Sequence, residues 1–165
     1  MSPWMTRRGL LAASTGTVVF AGCSGTGRSG SPTADSTTAG AMDLDLREAN
    51  VTAVSVDATD GRYRFDVTLH HDDDGEDGYA NWWQVERPDG TTIGRRTLLH
   101  PHSSEPFTRS DSYSVPDDVT CVVVRGHDQT HGYGGQAVLV NVESGATRPI
   151  QQGADRQSLT EADCP

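Results

Sequence analysis

The sequence predicts an all-β fold, an antiparallel sandwich of about seven short strands, and three observations carry that prediction. Apolar and polar residues alternate in RYRFDVTLHH (62–71), where Tyr63, Phe65, Val67 and Leu69 share one face and Arg64, Asp66 and Thr68 take the other. A period of two marks a strand with one face buried. Comparable runs recur at short intervals, separated by turn residues such as Pro88-Asp89-Gly90. No central segment shows a helical period, and many short strands between regular turns favour a sandwich.

Taken in order, the expected strands lie in VTAVSVDA (51–58), RYRFDVTLHH (62–71), YANWWQVERP (79–88), TTIGRRTLLH (91–100), SYSV (112–115), VTCVVVRGH (119–127) and QAVLVNV (136–142). Trp82 and Trp83 are neighbours on the third strand. Alternation sends only one indole inward, so the other belongs on the outer face or at the rim. A tryptophan on the third of seven such strands resembles the immunoglobulin-like or fibronectin type III-like sandwich. The resemblance covers residues 48–144 and implies an architecture without a function.

Residues 1–22 have the form of an export signal: Arg7-Arg8, a short apolar run to Ala21, and small residues at its end. The run is too short and too interrupted to span a bilayer, which takes roughly 20 apolar residues. The arginine pair followed by Leu10-Leu11 resembles a twin-arginine signal, and FAGC (20–23) resembles a lipobox, with Phe20 where leucine is usual. The resemblance implies cleavage before Cys23, lipidation of that cysteine, and a lipid-anchored protein on the extracytoplasmic face of the membrane. Residues 23–47, rich in Gly, Ser and Thr, read as a flexible tether, and residues 145–165 as a polar, irregular C-terminal tail.

All 13 basic residues are arginine, and the net charge is −10. Loss of Arg7 and Arg8 with the signal leaves eleven arginines against 23 acids, a charge near −12. Abundant acid, no lysine and the lipobox together resemble the exported lipoproteins of salt-loving archaea. Nucleic acid is excluded as a partner, because phosphate binding needs clustered basic residues.

The six histidines fall in three loops: His70 and His71 after the second strand, His100 and His102 after the fourth, His127 and His131 after the sixth. In immunoglobulin strand order these loops share one pole. Neutral imidazole is a common ligand of zinc and copper(II), and a site takes three or four donors. His100, His102, His127 and His131 are the candidate ligands for a copper or zinc ion used in carriage, sensing or buffering. His70 and His71 are weaker candidates beside DDDGEDG, and Asp128 or Glu105 would orient an imidazole through its second nitrogen. The alternative is that the histidines cap strand ends while Arg109 and Arg125 pair acids at the rim. No organic cofactor is expected. The block HPH…FTR…HDQTHGYGG resembles one in secreted proteins and implies no activity.

A blue-copper site is not supported, since Cys121 lies within a strand and no methionine follows the histidines. Asp72, Asp74 and Glu76 alternate as calcium ligands do, yet lack the glycine and distal glutamate of a calcium loop. With Cys23 lipidated, Cys121 and Cys164 remain to pair or stay apart, and Asn50-Val51-Thr52 is an acceptor pattern for glycosylation. No nucleophile motif stands in the central region. Three readings remain: a metal-binding module; a metal-independent binding module in which Trp82 or Trp83, Phe107, Tyr133 and arginines recognise a cell-surface protein or glycan; and, ranked behind both, an enzyme using metal-bound water, which would need an open coordination position and a substrate cleft.

Overall fold

In the computed structural model, residues 43–73, 75–102 and 104–165 are described. The export signal (1–22), Cys23 and the tether to residue 42 lie outside the described residues. The strands, in chain order, are β1 (Asn50–Thr59), β2 (Arg62–His70), β3 (Ala80–Glu86), β4 (Thr92–Thr97), β5 (Phe107–Tyr113), β6 (Cys121–Asp128), β7 (Gly132–Tyr133), β8 (Gln136–Asn141) and β9 (Thr147–Gln151). One sheet has the order β1-β2-β5; the other runs β4-β3-β6-β8-β9, with β7 paired beside β6. Every pairing is antiparallel.

The first hairpin follows from its turn chemistry. Asp60 and Gly61 both take positive φ, 49° and 76°, between the paired residues Thr59 and Arg62. A two-residue turn with both central residues left-handed matches the twist of the strands it joins. From there the alternation places Phe65, Val67 and Leu69 inward, against Trp83 and Val85 of β3, Val122 and Val124 of β6, and Val138 and Val140 of β8. The two tryptophans separate as alternation requires: Trp83 is fully buried, and Trp82 is half-buried on the other face of the same strand.

Two segments differ from the sequence expectation. The fifth strand is FTRSDSY, Phe107–Tyr113, where only SYSV is expected. Its inward positions after Phe107 are Arg109 and Asp111, which hides the apolar alternation. The C-terminal tail is part of the fold: Thr147–Gln151 adds an edge strand to β8, and a disulfide joins Cys164 to Cys121, Cα atoms 5.9 Å apart. Ile150, Leu159 and Cys164 pack on Cys121, Val123, Ala137 and Leu139, which lie on the sheet face opposite the main core. The central strands β6 and β8 are therefore covered on both sides, and this is why they read as the unbroken runs CVVV and AVLV.

The same cover buries polar groups. Glu86 and Arg125 are fully buried and joined by an Arg125 Nε to Glu86 Oε1 ion pair. Gln84 donates to Glu86 Oε2 at 2.9 Å, and Arg125 Nη2 donates to the Gln157 carbonyl at 2.8 Å. Arg125 therefore does not pair an acid at the rim; the C-terminal segment closes over it.

Candidate functional site

The loops after β2, β4 and β6 meet at one end of the sandwich, and the contacts among them are specific. Gln129 N–H donates to the Tyr79 carbonyl, and the Thr130 hydroxyl to that of Asp77. The backbone N–H of His102 donates to Asp73 Oδ2, joining the loop after β4 to the loop after β2. Glycines in GHDQTHGYGG serve close packing here. A Cβ at Gly126 or Gly134 would lie 2.1 or 1.9 Å from the Ala49 carbonyl oxygen, so the chain entering β1 nests against both.

The histidine rings do not converge. Among the described residues, no group of three or more His, Cys, Asp or Glu side chains is arranged to hold a metal ion. His100 and His102 are neighbours, ring centroids 4.8 Å apart, but His102 stacks on Phe107 at 4.1 Å while His100 is exposed. His127 turns to the outer face of the second sheet, where Nδ1 lies 2.8 Å from Asn81 Oδ1. His131 stands 3.4 Å from Asp128 Oδ1 at the tip of the β6–β7 turn. The expectation of a single ion bound by His100, His102, His127 and His131 is therefore not supported by the described residues: strand order gathers the loops, while stacking on Phe107 and Trp82 holds two of the rings in separate places.

The remaining candidates have structural partners. His71 is buried between the Arg47 carbonyl, 3.1 Å from Nε2, and Asp73, 2.8 Å from Nδ1. His70 ends β2, half-buried and opposite Asn50. Asp128 is fully buried and accepts from the backbone N–H groups of Thr130 (2.8 Å) and His131 (2.5 Å), capping the turn instead of orienting a ligand. Glu105 is exposed in the loop before β5. Asn50, the expected glycosylation acceptor, is only 1% exposed. Its amide donates to the Asp45 and Glu48 carbonyls and its oxygen accepts from Gln136 N–H, so the folded chain does not present it to a glycan.

A continuous row of side chains crosses the outer face of the second sheet at the loop end. The Arg95 guanidinium lies 3.9 Å from the Trp82 ring centroid. Trp82 stacks on His127 at 4.1 Å, and Tyr133 stands edge-on to both, 5.6 Å from each. The register produces this order, since Trp82 pairs with His127 and His127 with Tyr133. Trp82, His127 and Tyr133 are all half-buried. Burial pushes the His127 imidazole below its ordinary value, against the opposing pull of Asp128 and with help from Arg95. Neutral imidazole, indole and phenol under a guanidinium form a surface suited to stacking and hydrogen bonding. Of the sequence candidates, Trp82 and Tyr133 belong to this row, whereas Trp83 and Phe107 are core residues. Arg95 and Asn81 are not distinguished by the sequence reading; their positions flanking the row in β4 and β3 are the signal that identifies them.

Among the described residues, no helix is long and apolar enough to cross a membrane. A protein of Halomicrobium mukohataei named "Putative lipoprotein" is 62% identical to this chain over 124 residues, 74% of this chain. The chain spans 62% of that relative's length. No family model matches the chain, and no solved structure does.

Proposed function

We propose that this chain is a lipid-anchored, extracytoplasmic binding module that recognises a cell-surface protein or glycan without a metal ion. Arg7-Arg8 directs export, FAGC is the cleavage site, and Cys23 carries the lipid. The similarity to a haloarchaeal protein named as a lipoprotein supports the anchor. The immunoglobulin-like reading of the sandwich also belongs here, supported by the order β1-β2-β5 facing β4-β3-β6-β8.

The observation that carries the binding reading is the row Arg95, Trp82, His127 and Tyr133. Further along the same face the C-terminal segment buries even charged groups, yet here three rings remain half-open to solvent. Aromatic and arginine side chains dominate recognition energy where they are partly presented in this way. The test expresses the chain in a haloarchaeal host. Cys23→Ser should move it from the detergent phase to the aqueous phase. Separately, Trp82→Ala should abolish its binding to isolated cell envelopes, and prior protease or periodate treatment of the envelopes tells a protein target from a glycan. Membrane retention of Cys23→Ser would refute the anchor, and undiminished envelope binding by Trp82→Ala would refute the surface.

A further inference from the structure

The open side of the sandwich, between the edge strands β4 and β5, holds a second cluster of chemistry remote in character from the aromatic row. A pocket of about 150 Å³ is lined by Arg96, Leu99, His100, His102 and Arg109, together with Thr97 and Leu98. Arg96 pairs in register with the inward-facing Trp83, and Arg109 with the inward-facing Val67, so both cations project from edge strands into the seam. Arg96 Nη1 donates to the Ser110 carbonyl across it at 2.9 Å.

Two features mark these cations. First, the arginines Arg47, Arg64, Arg87, Arg125, Arg148 and Arg156 each meet a carboxylate within 4.0 Å. Among the described residues Arg96 and Arg109 meet none; Arg62 and Arg95 meet none either, but Arg62 is held by the Ser112 carbonyl and Arg95 by Gln84 and the Trp82 ring, whereas Arg96 and Arg109 face one pocket together. Among the described residues Arg109 donates to the neighbouring Thr108 carbonyl and lies over the Phe107 ring. Second, Arg96 Nε and His102 Nδ1 are buried without a hydrogen-bond partner. The His102 side chain is 6% exposed, and leaving such a polar nitrogen unpaired costs free energy that a ligand's polar group would recover.

The nearest acid, Asp73, does not neutralise the pocket. Its oxygens are already engaged by the His71 ring and the backbone N–H groups of Ala80 and His102, and Oδ2 stays 3.8 Å from His102 Nδ1. The surroundings of His102 are correspondingly cationic: after burial, Arg109, His100 and Arg96 each oppose its protonation, with Asp73 alone favouring it. Unpaired guanidiniums and a buried imidazole around a small cavity are the components of an oxyanion site, because guanidinium matches carboxylate and phosphate oxygens in planar, bidentate geometry. The volume suits a head group, being well below the roughly 300 Å³ at which small-molecule pockets begin. Leu99, 78% exposed at the rim, offers apolar contact to whatever carries that head group.

We propose that this seam pocket binds a small oxyanion group, held by Arg96, Arg109 and His102, with Leu99 touching the apolar part of the molecule that bears it. The site is independent of the aromatic row and of the lipid anchor, so it stands or falls separately from them. The test uses the full chain in detergent and molar sodium chloride, titrated at constant ionic strength with inorganic phosphate and, in a second arm, with acetate, while the imidazole NMR signals of His102 and His100 are followed. A saturable one-site shift at His102 is expected, weakened by about tenfold or more in Arg109→Gln, the loss of one charge-assisted contact. The tighter of the two ions identifies the head group as tetrahedral or planar. Arg109 is partly exposed and donates to its neighbour's carbonyl, so that variant keeps the fold; unchanged signals of the distant Trp82 and Tyr133 check this. A non-saturating shift with both ions, or equal affinity in Arg109→Gln, would overturn the proposal.

Discussion

Trp82 and His127 are directly paired across β3 and β6, their ring centroids 4.1 Å apart and their planes 18° from parallel. The indole covers one face of the imidazole, whose titration burial pushes below its ordinary value. Replacing Trp82 with alanine is expected to cost about 1–3 kcal/mol, less than the 3–5 kcal/mol of a fully buried tryptophan such as Trp83. It should also raise the His127 titration midpoint toward the ordinary imidazole value. Denaturant unfolding gives the first quantity and histidine NMR titration the second; an unmoved His127 midpoint would show that the stack is not the source of its burial.

Acid should loosen the domain. Burial holds His102 and His127 below the imidazole value of the unfolded chain, about 6.5. Between the folded and unfolded values the unfolded chain binds more protons, so stability rises with pH there. The contribution is complete above about pH 6.5 and is lost as pH falls through the depressed values. Unfolding midpoints taken from pH 7.5 to 5 at fixed salt should decline, and His102→Gln with His127→Gln should flatten that decline.

The buried pair Arg125 and Glu86 answers differently to single and double replacement. Arg125→Ala strands a fully buried carboxylate and is expected to cost about 3–5 kcal/mol. Arg125→Met combined with Glu86→Leu removes both charges and should restore most of the loss. Equal damage from the single and the double variant would mean that shape, and not charge, holds the C-terminal segment in place.

Breaking the Cys121–Cys164 bond should release the segment it closes. The two cysteines are 43 residues apart, and the chain-entropy relation for a loop of that length gives about 4 kcal/mol. Cys164→Ser should therefore lower the unfolding midpoint and open the bond after Arg156 to trypsin, with fragments read by mass spectrometry. Resistance at Arg156 would show that the C-terminal segment is held in place without the disulfide.

Copper or zinc titrated into the dialysed protein should give no one-to-one thermal stabilisation, since the rings of His100, His102, His127 and His131 do not surround a common point. A saturable stabilisation abolished by His127→Ala and by His131→Ala would restore the imidazole site.

Much of the architecture is legible in the chain because alternation is a local signal. Phe65, Val67 and Leu69 declare their face within a few residues, and Asp60-Gly61 declares its turn. What escapes the sequence is set by distant neighbours. Glu86 and Arg125 occupy outward positions that look solvated, and they are buried where the C-terminal segment meets them, with the Gln157 carbonyl accepting from Arg125 and Arg156 lying 3.8 Å from Glu86. Strand β5 is hidden because its inward positions carry Arg109 and Asp111 along an open seam, and β9 because Thr147–Gln151 pairs through its backbone and carries Pro149 at an edge. The same limit explains the histidines. Strand order fixes which loops are neighbours, but the direction of each ring depends on the aromatic side chain it meets, Phe107 for His102 and Trp82 for His127.

Cys121 is fully buried beneath the closing segment. A chain that crosses the membrane already folded, as the proposed twin-arginine route requires, meets oxidant only on the far side, so the sandwich must first hold its shape with two free thiols. On that proposed route the bond would act as a lock fitted to a door already shut, and its formation would report arrival outside the cell as well as completion of the fold.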